Sequence, residues 1–140
     1  EELAGKDLSQ NMDKFRNSLV LWNAGIEEPI VVDKACCSID IIPTLLNLFG
    51  FEFDSRMYAG RDIFSEEEGL VIFNDRSFVT DTVYYDKKLK TTTWKKELTE
   101  EQKKAYMEYM TEEVKRRYSF SAYILQENYY QIIADCLINP

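Results

Sequence analysis

The sequence predicts an α/β chain in which a small antiparallel sheet packs on a long C-terminal helix. Three observations predict it. Short β-rich runs recur before Lys95, a capped apolar segment at helical spacing interrupts them, and a capping box after Lys96 opens a long helical pattern.

Residues 1–17 are polar and without a clean period, so they read as loop with a helical turn near Asp13–Arg16. Ser18–Trp22 (SLVLW) is short, apolar and bounded by polar residues, the pattern of a buried strand. Pro29–Val32 (PIVV) reads as a second strand, since proline is tolerated at a strand start or edge. Ser38–Gly50 (SIDIIPTLLNLFG) is the clearest element. Ser38 or Asp40 is placed to cap a helix, Pro43 falls in its first turn, and Gly50 sits where a left-handed residue ends it. Ile42, Leu45, Leu46 and Phe49 recur on one face, so a short helix docked on an apolar neighbour is expected.

Phe51–Gly69 is loop-like, with Gly60-Arg61-Asp62 at its middle and Glu66-Glu67-Glu68 near its end. Leu70–Phe73, Ser77–Tyr85 and Lys90–Trp94 read as three further strands, the last two joined by a turn at Asp86–Leu89. Such close spacing predicts an antiparallel meander. Thr99 and Gln102 then form the capping box of a helix from Glu100 to about Leu125. Tyr106, Tyr109, Met110, Val114, Tyr118, Phe120, Ile124 and Leu125 are expected on its inner face. Asn128–Ile138 reads as a closing helix. Two portions follow: 1–68, carrying the first strands and the Pro43 helix, and 69–140, carrying the meander and the C-terminal helices.

Composition excludes several function classes. There is no His, which removes Ser-His-Asp and Cys-His catalysis and every His-containing zinc site from this chain. A net charge of -8 with acids near most basic clusters argues against nucleic acid as a partner. No apolar run approaches the ~20 residues of a membrane span, and no signal peptide is visible. Cys36, Cys37 and Cys136 form no C-x-x-C pair and read as small buried thiols; pairing of Cys136 with either neighbour stays open. Asp81, Asp86 and Glu66–Glu68 match no calcium loop and read as solvated carboxylates. The hydroxyls of Thr91–Thr93, Ser119 and Ser121 lack an activating base, and no Gly-rich phosphate loop is present. No self-contained active site emerges from the residues.

The run from Asn17 to Gly50, with FDSRMYAGRDIF and GLVIFNDRSFVTD behind it, resembles the C-terminal part of a sulfatase-like domain of the alkaline phosphatase superfamily. The nearest resemblance is to the lipoteichoic acid synthase and phosphoglycerol transferase group. Asp40, Pro43, Thr44 and Gly50 match its D-I-x-P-T-L…G motif, and Gly60, Arg61 and Asp62 match its G-R-D turn. The match covers Ser18–Asp81.

The resemblance implies a membrane-anchored parent enzyme with its catalytic domain outside the cell. A Mn²⁺ or Mg²⁺ ion and a Thr nucleophile would act there on a phospholipid head group, passing glycerol phosphate to an envelope polymer. Those ligands and that nucleophile would precede Glu1, so no catalytic or metal residue is assigned to this chain. Asp40 is then a cap, Thr44 a structural residue, and Arg61 a contact to a neighbouring loop or an anion. The expected partner is the rest of the catalytic domain. In its absence, exposed apolar surface and a free sheet edge would favour oligomers. A sulfatase or phosphodiesterase on the same fold, or a non-catalytic interaction module, are the rival expectations.

Overall fold

A computed structural model of the chain describes residues 15–138. The chain divides into two compact units, Glu1–Val31 and Val32–Pro140.

In the first unit, the described residues carry no strand. They do carry a turn, in which Asn23 accepts Ile26 N–H on its carbonyl (3.0 Å) and Gly25 N–H on its Oδ1 (2.7 Å). Ser18–Trp22 and Pro29–Val32 therefore do not form the expected strands. Val20 is 82% and Trp22 85% exposed. A strand needs a partner for its backbone donors and acceptors, and the described residues supply none at these segments. The helical turn expected near Asp13–Arg16 begins outside the described residues.

The second unit opens with a 3₁₀ turn, Ser38–Asp40, running into α1, Ile41–Leu48. Gly50 ends the helix at φ 67°. Its N–H bonds to Asn47 O and Phe51 N–H to Leu46 O, the paired bonds of a Schellman motif. The buried side of α1 is Pro43 and Thr44, not the expected face: Ile42 and Phe49 are exposed, and Leu45 and Leu46 are half-buried. The correction has a local cause. The loop at 60–63 crosses the helix on its Pro43–Thr44 side and leaves the apolar stripe uncovered.

Four strands follow as a meander: β1 (Leu70–Ile72), β2 (Phe78–Thr80), β3 (Val83–Asp86) and β4 (Thr91–Trp94), each antiparallel to the next. The single strand expected over Ser77–Tyr85 is two strands. Thr80 is the reason, since its Oγ1 accepts both Thr82 N–H (3.1 Å) and Val83 N–H (3.0 Å) and so closes a tight turn. Phe78 then faces Tyr85 across the β2–β3 pair.

The capping box forms as expected. Thr99 Oγ1 accepts Gln102 N–H (3.2 Å) and Gln102 Oε1 accepts Thr99 N–H (3.0 Å). It starts α2, Glu100–Gln126, whose Met110 and Val114 meet Phe78 and Val83 in the buried core. Leu70, Ile72, Tyr85, Trp94, Tyr106, Met107 and Tyr118 pack around that cluster. Tyr109, Phe120 and Leu125, expected inside, are exposed. Asn128, left-handed at φ 51°, separates α2 from α3, Tyr129–Ile138. The α/β class thus holds as a small antiparallel sheet with a long helix across it. Among the described residues, no helix is long and apolar enough to cross a membrane.

Candidate functional site

Of the residues singled out from sequence, Asp40, Thr44, Gly60, Arg61 and Asp62 come together where α1 and the loop ahead of it meet the Gly60-Arg61-Asp62 turn, whereas Gly50 lies at the other end of α1. Asp40 is 8% exposed and uses both carboxylate oxygens. Its Oδ2 accepts Cys37 N–H and its Oδ1 accepts Arg61 N–H, each at 2.8 Å. It therefore reaches back and across, instead of capping the forward N–H groups of α1 as expected; Ser38 makes no cap bond either. Thr44, 1% exposed, donates its hydroxyl to Asp40 O (2.6 Å) and accepts Ile63 N–H (3.1 Å). Asp62 accepts Phe64 N–H on Oδ1 (3.0 Å) and the Asn47 amide on Oδ2 (2.9 Å). Two motifs apart in sequence thus interlock through backbone amides that would otherwise lack partners.

Gly60 makes the approach close enough. A Cβ there would fall on the Ile39 carbonyl and 2.8 Å from Asp40 N. Gly69 does the same in the next loop, where a Cβ would overlap Ala35 O. Beside it, Asp81 accepts Ala35 N–H on Oδ1 and Gly69 N–H on Oδ2, both at 2.7 Å. Asp81 is therefore a strut, not the solvated carboxylate the sequence suggested. Asp86 is likewise buried and accepts Leu89 N–H (2.8 Å), fixing the β3–β4 turn. Sequence reasoning missed Asp81 because its partners lie 46 and 12 residues away and are main-chain atoms, which carry no residue signature.

Arg61 extends the interlock to α2. Its guanidinium lies 3.0 Å from Glu67 Oε2 and 3.7 Å from Glu113 Oε1, and also donates to Glu68 O (3.4 Å). Of the two contacts expected for Arg61, the neighbouring loop is the one the structure provides. Glu113 also receives Arg116 (2.8 Å) and Arg117 (2.9 Å). Burial works to raise the Glu113 pKa, but the hydrogen bonds from Arg117 and Arg116 outweigh it and hold the carboxyl below its ordinary 4.5. A depressed folded-state value contributes stability above the ordinary pKa, and that contribution is lost as pH falls through the folded value. Urea melts from about pH 6 to about pH 3 should show a falling stability that Glu113→Gln partly flattens. An unchanged slope in that variant would assign the acid sensitivity to other carboxyls.

Glu68 and Tyr106 connect the acidic loop to the sheet. Tyr106 OH donates to Glu68 Oε2 (2.9 Å) and lies 2.7 Å from Thr80 Oγ1. Burial chiefly pushes the Tyr106 phenol up to about 12.

The chemistry available here is limited. Hard divalent ions take roughly six oxygen ligands, whereas Asp40, Asp62 and Asp81 commit both carboxylate oxygens to N–H donors. Among the described residues no group of three or more acids or cysteines is arranged to hold a metal. These residues do not fit Mn²⁺ or Mg²⁺, and no step through such an ion is derived from them. Searches of protein-family models, of curated proteins and of solved structures found no match to the chain.

The thiols follow the same reading. Burial, then the negative charge of Asp40, raises Cys37 to about 11, and Cys36 is raised for the same two reasons. Cys136 is exposed. Alkylation at about pH 8 followed by mass spectrometry should label Cys136 well before Cys37, because the thiolate is the reactive form. Equal rates would show that Cys37 is not held in a half-buried position beside Asp40 in solution.

Proposed function

We propose that this chain is the C-terminal scaffold of a membrane-anchored, extracellular phosphoglycerol transferase of the sulfatase-like group, catalytically inert by itself. The observation that carries the reading is the interlock of Asp40 and Thr44 with Arg61 and Ile63. The residues that carry the resemblance are occupied in holding two loops together, which is what scaffold residues do. A second feature supports it. Ile42, Leu48, Phe49 and Phe51 leave an apolar side of α1 in solvent, as expected of a helix whose neighbour belongs to another region of a larger domain. The Mn²⁺ or Mg²⁺ ion, the nucleophile and the phospholipid head group would be handled by that other region.

The test uses a fluorescent phosphatidylglycerol in vesicles with Mn²⁺, following release of diacylglycerol. The 140-residue chain should give none above background, and a longer natural chain ending in this segment should give Mn²⁺-dependent release. Turnover by the 140-residue chain would overturn the scaffold assignment. Aryl-sulfate hydrolysis by the longer chain, without diacylglycerol release, would replace the transferase with a sulfatase. Failure of both would leave a non-catalytic interaction module.

A further inference from the structure

The chain segregates its charge in one place. Residues 87–99 carry five Lys against one Glu, a local charge of +4 in a chain of net charge -8. Two of the five, Lys95 and Lys96, lie where the chain passes from β4 towards α2. The end of β4, the loop after it and the start of α2 line an open concavity of about 490 Å³, formed by Trp94, Lys95, Lys96, Glu97, Leu98 and Lys103.

Three lysines are among its lining residues, in different states. Lys95 Nζ donates to Thr80 O (2.6 Å), which fixes its position. Lys103 pairs with Glu100 (2.7 Å) and lies 6.0 Å from the centre of the Trp94 ring. Lys96 has no hydrogen bond or ion pair among the described residues. Two cations are thus held in place by the fold, and a third is free to close on a ligand. Trp94 packs edge-on against Tyr106, with ring centres 5.9 Å apart. One face of the indole carries Lys103, so the concavity offers no open sandwich for a flat base.

We propose that this concavity binds the phosphate group of a small phosphate ester. Three lysines against one glutamate along a concave wall, with Lys96 unpaired among the described residues, suit a compact anion with several acceptor oxygens, and the indole and Leu98 supply a short apolar wall beside it. The proposal is independent of the reaction proposed above. It concerns a different face of the second unit and would stand if that reaction were disproved.

Trp94 reports on the site. The chain has two Trp, so Trp22→Phe leaves Trp94 as the sole indole. In that background, sn-glycerol 3-phosphate, inorganic phosphate and glycerol are titrated at low ionic strength while Trp94 emission is followed. A saturable change with sn-glycerol 3-phosphate, none with glycerol, and weakening on added salt is the expected result. Inorganic phosphate binding as tightly as the ester would identify free phosphate as the ligand of the same site; weaker binding would identify the ester. Lys96→Glu should weaken binding roughly tenfold or more, the scale of one charge-assisted hydrogen bond. Lys115→Glu, in the exposed pair with Glu112 on α2, should leave it unchanged. Lys96 makes no side-chain bond among the described residues, so its loss does not threaten folding. Absence of a saturable signal, or equal affinity in Lys96→Glu, would overturn the proposal.

Discussion

Gly60→Ala is expected to cost roughly 3 kcal/mol or more, the scale of overpacking where backbone meets backbone. The reason is space, not torsion. Gly50 is the described glycine with positive φ, and nothing lies within 4 Å of where its Cβ would be. Gly60 is the opposite case: its φ lies outside the left-handed region, yet its added methyl would meet Ile39 O and Asp40 N. Neither obstacle is a flexible side chain, so the turn itself must retreat. Retreat separates Arg61 N–H from Asp40 and Ile63 N–H from Thr44. Gly50→Ala should cost only about 1–2 kcal/mol, the strain of a left-handed alanine. Urea melts of the two variants supply the comparison, and amide exchange locates the damage. Arg61 and Ile63 N–H should exchange faster in Gly60→Ala alone. If both variants lose the same stability, close approach at Gly60 is not what the position requires.

Phe78→Ala is expected to cost roughly 3–5 kcal/mol, a large share of the roughly 5–15 kcal/mol that holds a domain folded. Phe78 is 1% exposed, joins Val83, Met110 and Val114 in the core, and lies 5.2 Å from the Tyr85 ring. Its loss opens a void between sheet and helix at once, so the two layers should melt together. Leu125→Ala, on a side chain 85% exposed, should stay within about 0.5 kcal/mol. Thermal melts read by helix signal and by Tyr fluorescence would check both. Separate transitions for the two signals in Phe78→Ala would show that sheet and helix do not share one core.

What could be read from sequence was what local chemistry decides. The Thr99–Gln102 box, the Gly50 helix end and the strand at Leu70 follow from residues a few positions apart, and each formed as expected. What could not be read depended on partners far along the chain. Ser18–Trp22 has the composition of a strand but no strand beside it among the described residues. Ile42 and Phe49 have the spacing of a buried face, while the covering loop chose Pro43 and Thr44. In the candidate site, Asp40, Thr44, Gly60 and Arg61 stood out in the sequence as single residues, but their joining into one interlock did not. Asp81 carried no signal at all. A carboxylate serving backbone amides looks in sequence like any other acid. The split at Thr80 was missed because a threonine favours strands and, through its hydroxyl, also closes turns.

That hydroxyl has one more property. Thr80 Oγ1 has two lone pairs and one hydrogen. Both lone pairs are taken by Thr82 and Val83 N–H. Its hydrogen must therefore point at Tyr106, and the Tyr106 hydrogen must point at Glu68. The turn between β2 and β3 thus sets the polarity of a one-way relay of hydroxyl dipoles that ends on the acidic loop. Tyr106→Phe would remove the middle link and strand both ends.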